Sequence, residues 1–214
     1  MRLKNVRGAK EIIANSKYVI KQPLEYIGKF QTLFENDNKI EIEIGMGKGD
    51  FIIGKAIQNP DINYIGIEKF DSVIVRAIQK LEELDLPNLR LIRMDALEID
   101  KVFDKEVATL YLNFSDPWPK NRHAFRRLTS KIFLEKYQNL FKEYPCIIQK
   151  TDNRKLFEFS LMSYVANGYK IEEISLDLYK DDIKDNIQTE YEKRFVSLGQ
   201  TIYMVKVTRQ WLYI

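Results

Sequence analysis

The sequence predicts a doubly wound α/β domain: a mostly parallel sheet of seven strands with helices on both faces. Strand-like and helix-like patterns alternate from about residue 40 to the end of the chain. The run 107–114 (VATLYLNF) is almost continuously apolar, as a strand buried on both faces should be. With 214 residues, 45% hydrophobic and 30% charged, the chain is long enough for one large core and has an ordinary globular composition.

Taken in order, residues 1–30 show no clear periodicity and read as a basic N-terminal arm or loose helix, with the main domain spanning 31–214. Residues 39–44 (KIEIEI) alternate with period two and predict the first strand. GMGKGDF follows and opens a helix to about residue 58, and Asn59-Pro60-Asp61 marks a turn before the strand at 64–67 (YIGI). Val73, Ile74, Ala77, Ile78 and Leu81 fall on one face of a helix, which Pro87-Asn88 closes. Strands are predicted at 89–94 and 107–114, and Ile132, Phe133, Tyr137, Leu140 and Phe141 line a further helix. A short strand at 147–149, a helix at 156–165 and strands at 169–176 and 201–207 complete the pattern. In such sheets ligands bind at the carboxyl ends of the central strands.

Composition excludes several classes of function. One cysteine, Cys146, allows no intrachain disulfide, and with one histidine, His123, no His- or Cys-based metal centre is expected. There is no apolar run of 18 residues and no apolar stretch behind the N-terminal charges, so no membrane span or secretory leader is expected and the cytoplasm is the default. The terminal WLYI at 211–214 suits either a partner subunit or the chain's own core, which leaves monomer and homodimer open.

The net charge is only +3, but it is unevenly placed. Arg2, Lys4, Arg7, Lys10, Lys17, Lys21 and Lys29 face only Glu11 and Glu25 in the first 29 residues. Lys120, Arg122, Arg126, Arg127 and Lys131 form a second cluster without any acid. One such run is ordinarily a solvated surface; two that flank a candidate site point to a polyanion.

Gly45-Met46-Gly47-Lys48-Gly49 lies directly after the first strand, where glycines permit a tight turn and a close ligand approach. Glu68 ends the next strand and suits a ribose diol, and Asp95 ends the third, within reach of an adenine edge. Each acid alone is an ordinary strand-end residue; together they converge on one crevice. The G-x-G-x-G spacing differs from the G-x-G-x-x-G that cradles a pyrophosphate. Glu43, two residues upstream, would repel a pyrophosphate but suits a ligand carrying an ammonium and a sulfonium. Both features favour S-adenosylmethionine over a nicotinamide dinucleotide. At the end of the fourth strand, Asp116-Pro117-Trp118-Pro119-Lys120 places a carboxylate beside an indole fixed by two prolines. A polar group that holds a base edge beside a ring that stacks on its face suits a nucleobase, with Trp118 as the stacking ring; the alternative is a rigid packed turn.

The blocks IEIGMGKGDF, YIGIEKF, NFSDPWPKNRHAFRRLT, KTDNRKLFEFS and TEYEKRFVSLGQ resemble the bacterial tRNA (guanine-N7)-methyltransferase family from about residue 41 to 198. The resemblance implies a Rossmann-like class I methyltransferase fold and methylation of guanine 46 in the tRNA variable loop. It further implies S-adenosylmethionine as donor and S-adenosylhomocysteine as product. Carried over residue by residue, it implies cofactor contacts from Glu43, Glu68, Asp95 and Asp116, with Asp116 also catalytic. Lys120, Asp152, Thr189, Glu190, Tyr191 and Glu192 would meet the nucleoside, and Arg122, His123, Arg126 and Arg127 the RNA backbone. Glu190 is the first choice to read guanine N1–H and the exocyclic amine, with Asp152 and Glu192 as alternatives. Guanine N7 carries an in-plane lone pair and no proton, so the absence of a plausible His base is consistent with this chemistry. Competing readings are a methyltransferase for another base or a small molecule, a nicotinamide dehydrogenase, and an inactive cofactor-binding scaffold.

Overall fold

A computed structural model describes residues 6–181, 183 and 186–209. Arg2, Lys4, Asp182, Asp185 and the terminal WLYI lie outside the described residues. Seven strands form one sheet: β1 (Ile40–Ile44), β2 (Asn63–Glu68), β3 (Leu89–Arg93), β4 (Val107–Asn113), β5 (Cys146–Thr151), β6 (Lys170–Ser175) and β7 (Tyr203–Thr208). Their order is β3-β2-β1-β4-β5-β7-β6. The first five run parallel, and β7 lies antiparallel between β5 and β6.

All seven strands coincide with the sequence expectation to within a few residues. The chain steps outward from β1 through β2 to β3, then returns to place β4 on the other side of β1. The carboxyl ends of β1 and β4 therefore flank the point where the winding reverses, and a crevice opens there. The alternation in β1 equips that crevice with charge. Ile40, Ile42 and Ile44 point into a core shared with Leu110, Leu112 and Phe133, so Glu41 and Glu43 face the opposite side of the sheet. Each carboxylate finds a donor on β4: Tyr111 Oη donates to Glu41 at 2.8 Å and Asn113 Nδ2 to Glu43 Oε1 at 2.8 Å.

Among the described residues, six α-helices accompany the strands: α1 (Ala9–Asn15), α2 (Asp50–Gln58), α3 (Asp71–Leu81), α4 (Lys131–Lys136), α5 (Arg154–Ala166) and α6 (Glu190–Ser197). Ile52, Ile74, Ala77 and Leu81 from α2 and α3 form a second core on the other face of the sheet. Three differences from the sequence reading have physical causes. The helix expected through Phe141 stops at Lys136 and tightens into a turn at Tyr137–Asn139, after which Phe141 bridges to Val107 beside β4. The basic N-terminal segment contains α1 and then runs along the free edge of β3, where Leu91 N donates to Tyr18 O and Ile20 N to Leu91 O. The apolar run Tyr18-Val19-Ile20 is buried as a result, and an otherwise open sheet edge is covered. Finally, the TEYE stretch opens α6, through a capping box in which Thr189 accepts from the Glu192 N–H and Glu192 from that of Thr189. The connection between β6 and β7 thus carries a helix to the crevice.

Candidate active site

The glycine loop is fastened to the end of β2 by Gly45 N and Met46 N, which both donate to Ile67 O. Gly47 has a positive φ of 58°, and a β-carbon there would meet nothing within 4 Å, so its surface is free for a ligand. Gly49, also at positive φ (81°), serves packing: a β-carbon there would lie 3.0 Å from Ala77 Cβ on α3. Beyond the loop lies a cavity of about 390 Å³ bounded by Glu43, Met46, Asn113, Phe114, Glu190 and Tyr191, among others.

Glu43 is 1% exposed. One of its oxygens accepts from Asn113; Glu43 Oε2 and Asn113 Oδ1 have no partner among the described residues. Burial is the main reason its carboxyl is pushed up to about 7, although Asn113 and the nearby Lys150 ammonium oppose the shift. Two acceptors without a donor in a cavity wall fit a positively charged group that donates hydrogen bonds.

Glu68 is buried at the end of β2, where it accepts from the backbone N–H groups of Gly47, Lys69 and Phe70 at 3.1, 2.8 and 3.0 Å. Burial raises its carboxyl, the three donors resist, and the negative charge of Asp116 adds to the rise. Asp116 is therefore within electrostatic reach of Glu68. It is exposed, and no donor is paired with it among the described residues. Asp95 is more occupied than its position suggests: it caps the following turn by accepting from Leu97 N and pairs with Lys69 at 2.5 Å. The Lys69 hydrogen bond holds the Asp95 carboxyl below its usual range. Phe70 and Leu97, large and exposed beside these two acids, carried no signal in the sequence but offer apolar surface at the ends of β2 and β3.

The Asp116–Lys120 loop is held in an unusual shape. Phe114 (φ 50°) and Trp118 (φ 41°) both occupy the left-handed region, a conformation that costs about 1–3 kcal/mol per residue unless its surroundings impose it. Arg127 holds the turn at Trp118: Nε donates to Pro117 O and a terminal nitrogen to Trp118 O, both at 3.0 Å. Its guanidinium also lies 4.3 Å from the Phe159 ring centroid. Arg127 is therefore buried as a clamp under the loop, not presented to solvent with Arg122 and Arg126. Trp118 is half-buried, with Arg126 4.8 Å over its ring and His123 edge-on at 6.0 Å. Lys120 and Arg122 are exposed.

On the far side of the cavity, Glu190 pairs with Lys48 of the glycine loop at 2.7 Å. Tyr191 stacks on Phe195 at 4.1 Å, lies 5.1 Å from Phe114, and donates its hydroxyl to Asp152 at 3.3 Å. Thr189 caps the helix. Glu192, from the same motif, turns away: it is 0% exposed, and Lys150, Tyr179, Asn186 and Thr189 fill both its oxygens. Of the acids considered as guanine readers, Glu190 bounds the cavity, Asp152 borders it through Tyr191, and Glu192 lies beneath it.

Residues 37–205 match the family model described as "Putative methyltransferase". The chain is 52% identical over 209 residues to a protein of Bacillus velezensis named tRNA (guanine-N(7)-)-methyltransferase, covering 97% of this chain and 96% of that one. Proteins of the same name from Bacillus subtilis (49% identical, 97% and 98% covered) and Lachnoclostridium phytofermentans (48%, 98% and 99%) match as fully. Among solved structures, the 16S rRNA methyltransferase KamB superposes with a TM-score of 0.64 at 15% identity, covering 86% of this chain and 93% of its own. A SAM-dependent methyltransferase from Aquifex aeolicus gives 0.54 at 15%, covering 94% and 97%; both likenesses concern the fold. A seven-stranded Rossmann-like methyltransferase sheet, the glycine loop and near full-length identity of about one half converge: this chain belongs to the tRNA (guanine-N(7)-)-methyltransferase family.

Proposed function

We propose that this protein transfers a methyl group from S-adenosylmethionine to N7 of guanine in tRNA, at guanine 46 of the variable loop, and leaves S-adenosylhomocysteine. The observation that carries the reading is Glu43 Oε2, without a partner among the described residues, in the wall of a cavity that the open face of Gly47 also bounds. These groups fit S-adenosylmethionine: Glu43 and Asn113 would accept from its ammonium, Glu68 from the ribose, and Phe70 and Leu97 would flank the adenine beside Asp95. When bound, S-adenosylmethionine supplies an electrophilic methyl group on a sulfonium.

The protein's own residues then have three tasks. Tyr191, braced by Phe195 and Phe114, and Trp118 offer aromatic faces for an extruded base. Glu190, released from Lys48, accepts from guanine N1–H and the exocyclic amine. Asp116 is the carboxylate that would offset the positive charge developing on the purine as its N7 lone pair takes the methyl group. No proton is transferred, so no side chain has to act as a base. Exposed Lys120, Arg122 and Arg126 extend from the loop towards the phosphate backbone.

Labelled-methyl transfer to unmodified tRNA, followed by chain cleavage at N7-methylguanosine, tests the reading. One cleavage at position 46 is expected. Label without that cleavage would mean a different target atom.

A further inference from the structure

We infer that Lys150 is a positioning residue for the substrate side: its buried ammonium folds residues 186–192 onto the end of β5 and so holds Glu190 and Tyr191 at the cavity. Lys150 is 4% exposed at the carboxyl end of β5. Its Nζ donates to Asn186 Oδ1 at 2.9 Å, Ile187 O at 2.9 Å and Glu192 Oε2 at 2.6 Å, which uses all three of its protons. Every acceptor comes from one stretch of seven residues that is far away in sequence.

Glu192 continues the knot. Its second oxygen accepts from Tyr179 Oη at 2.8 Å and Asn186 Nδ2 at 2.9 Å. Ile187 is pressed against α2 at Gly54, where a β-carbon would lie only 2.8 Å from Ile187 Cγ2. With Asn186, Ile187 and Glu192 fixed, Thr189 completes the capping box and α6 starts at one defined point. Residues 190 and 191 then have a single direction left, towards the cavity that Glu43 bounds from the other side.

Burying an ion pair is an inefficient way to gain stability, because an apolar pair of similar volume does as well. Its advantage is direction: three acceptors around one tetrahedral nitrogen specify the path of a loop, which methyl groups cannot do. The inference rests on the reading that Glu190 and Tyr191 meet the base.

Replacing Lys150 alone would strand a buried carboxylate, so the test pairs Lys150→Met with Glu192→Met, and adds Asn186→Ala as a variant that leaves no charge behind. Two quantities are measured on the full chain: kcat with saturating S-adenosylmethionine and tRNA, and amide exchange of residues 186–193. The double variant should melt cooperatively, exchange roughly tenfold faster in that segment, and lose on the order of 10²-fold in kcat through misplaced groups. Asn186→Ala should lie between it and the wild type in both measurements. A purely structural pair would leave kcat of the folded enzyme within about threefold of wild type and exchange unchanged, whatever the melting temperature; either result in the double variant, or no change in both for Asn186→Ala, overturns the inference. If the wild type itself forms no N7-methylguanosine, the proposed function fails, and the exchange measurement still decides whether Lys150 orders the segment.

Discussion

Asn113 donates to one oxygen of Glu43 across the β1–β4 crevice, and the other oxygen of Glu43 has no donor among the described residues. The pair sits where the sheet reverses its winding, and its electrostatics give the first prediction.

Glu43 has its carboxyl raised to about 7, from 4.5 when unburied. A raised folded-state value means that the folded chain holds the proton while the unfolded chain releases it. Stability from this group is therefore complete below about pH 4.5 and declines until about pH 7, by about 3 kcal/mol at most. Glu43→Gln should flatten that part of the pH–stability curve and leave the protein more stable than wild type at pH 8. A cationic ligand group reverses the preference, so S-adenosylhomocysteine should bind more tightly as pH rises to 7 and release a proton near pH 6. Lys150, Glu68 and Asp50 also act on Glu43 and remain in the variant. Calorimetry in buffers of different ionisation enthalpy measures the proton; its persistence in Glu43→Gln would count against this assignment.

The arginines of the basic strip should separate into two classes. Arg122 and Arg126 are exposed, and substituting each with Ala should reduce the salt slope of tRNA binding by roughly 0.7–0.9 if it meets a phosphate. Arg127 holds the Pro117 and Trp118 carbonyls from below. Its replacement by Ala should cost about 2–4 kcal/mol, from two charge-assisted hydrogen bonds at a buried site, and lower kcat while the slope stays put. Titrations at several salt concentrations and a urea melt distinguish the two.

Lys48 and Glu190 span the cavity mouth, but both are more than a third exposed, and such pairs are worth about 0–1 kcal/mol. Lys48→Ala should therefore barely change stability, and the pair opens at little cost when substrate arrives. Glu190→Gln should depress methylation of guanine. With the wild type, tRNA carrying inosine at the target lacks one of the two donors and should lose about 1–3 kcal/mol of discrimination. Equal kcat/KM on inosine and guanine would remove Glu190 from base recognition.

The two glycines should fail differently. Gly49→Ala introduces both a left-handed alanine and a contact with Ala77 at 3.0 Å, and should lower stability by about 1–3 kcal/mol. Gly47→Ala meets no neighbour, so its strain is of order 1–2 kcal/mol, while its methyl group intrudes on the ligand surface. Its signature is a loss of S-adenosylhomocysteine affinity out of proportion to the loss of stability.

How far the sequence alone leads depends on what each residue does. The seven strands were legible because burial on one or both faces writes itself into apolar alternation. The strand-end positions of Glu43, Glu68 and Asp95 were legible because each lies at the end of a strand-like run. What each side chain meets was not, since Glu43 lines the cavity, Glu68 accepts from the glycine loop and Asp95 pairs with Lys69. Helix α6 was not foreseen, although Thr189 and Glu192 have capping-box spacing, because its polar sequence offers little apolar periodicity. Tyr18-Val19-Ile20 is too short a run to mark an edge strand inside a basic segment. Arg126 and Arg127 are identical in sequence terms; only the turn at residues 117–118 buries one and exposes the other. Lys150 gives no local signal at all, since its three partners lie 36 to 42 residues away.

The proposed acceptor atom is guanine N7, and the most direct measurement replaces that atom alone. A tRNA assembled with 7-deazaguanosine at position 46 keeps the Watson–Crick edge and the stacking face but has no N7 lone pair. It should bind with an affinity close to that of the guanosine tRNA, compete with it, and accept no labelled methyl at that position in single-turnover reactions. Methyl transfer to position 46 of the 7-deaza tRNA at a rate comparable to guanosine would rule out N7 as the acceptor, because the methyl group would then have to reach another atom of the base or its ribose.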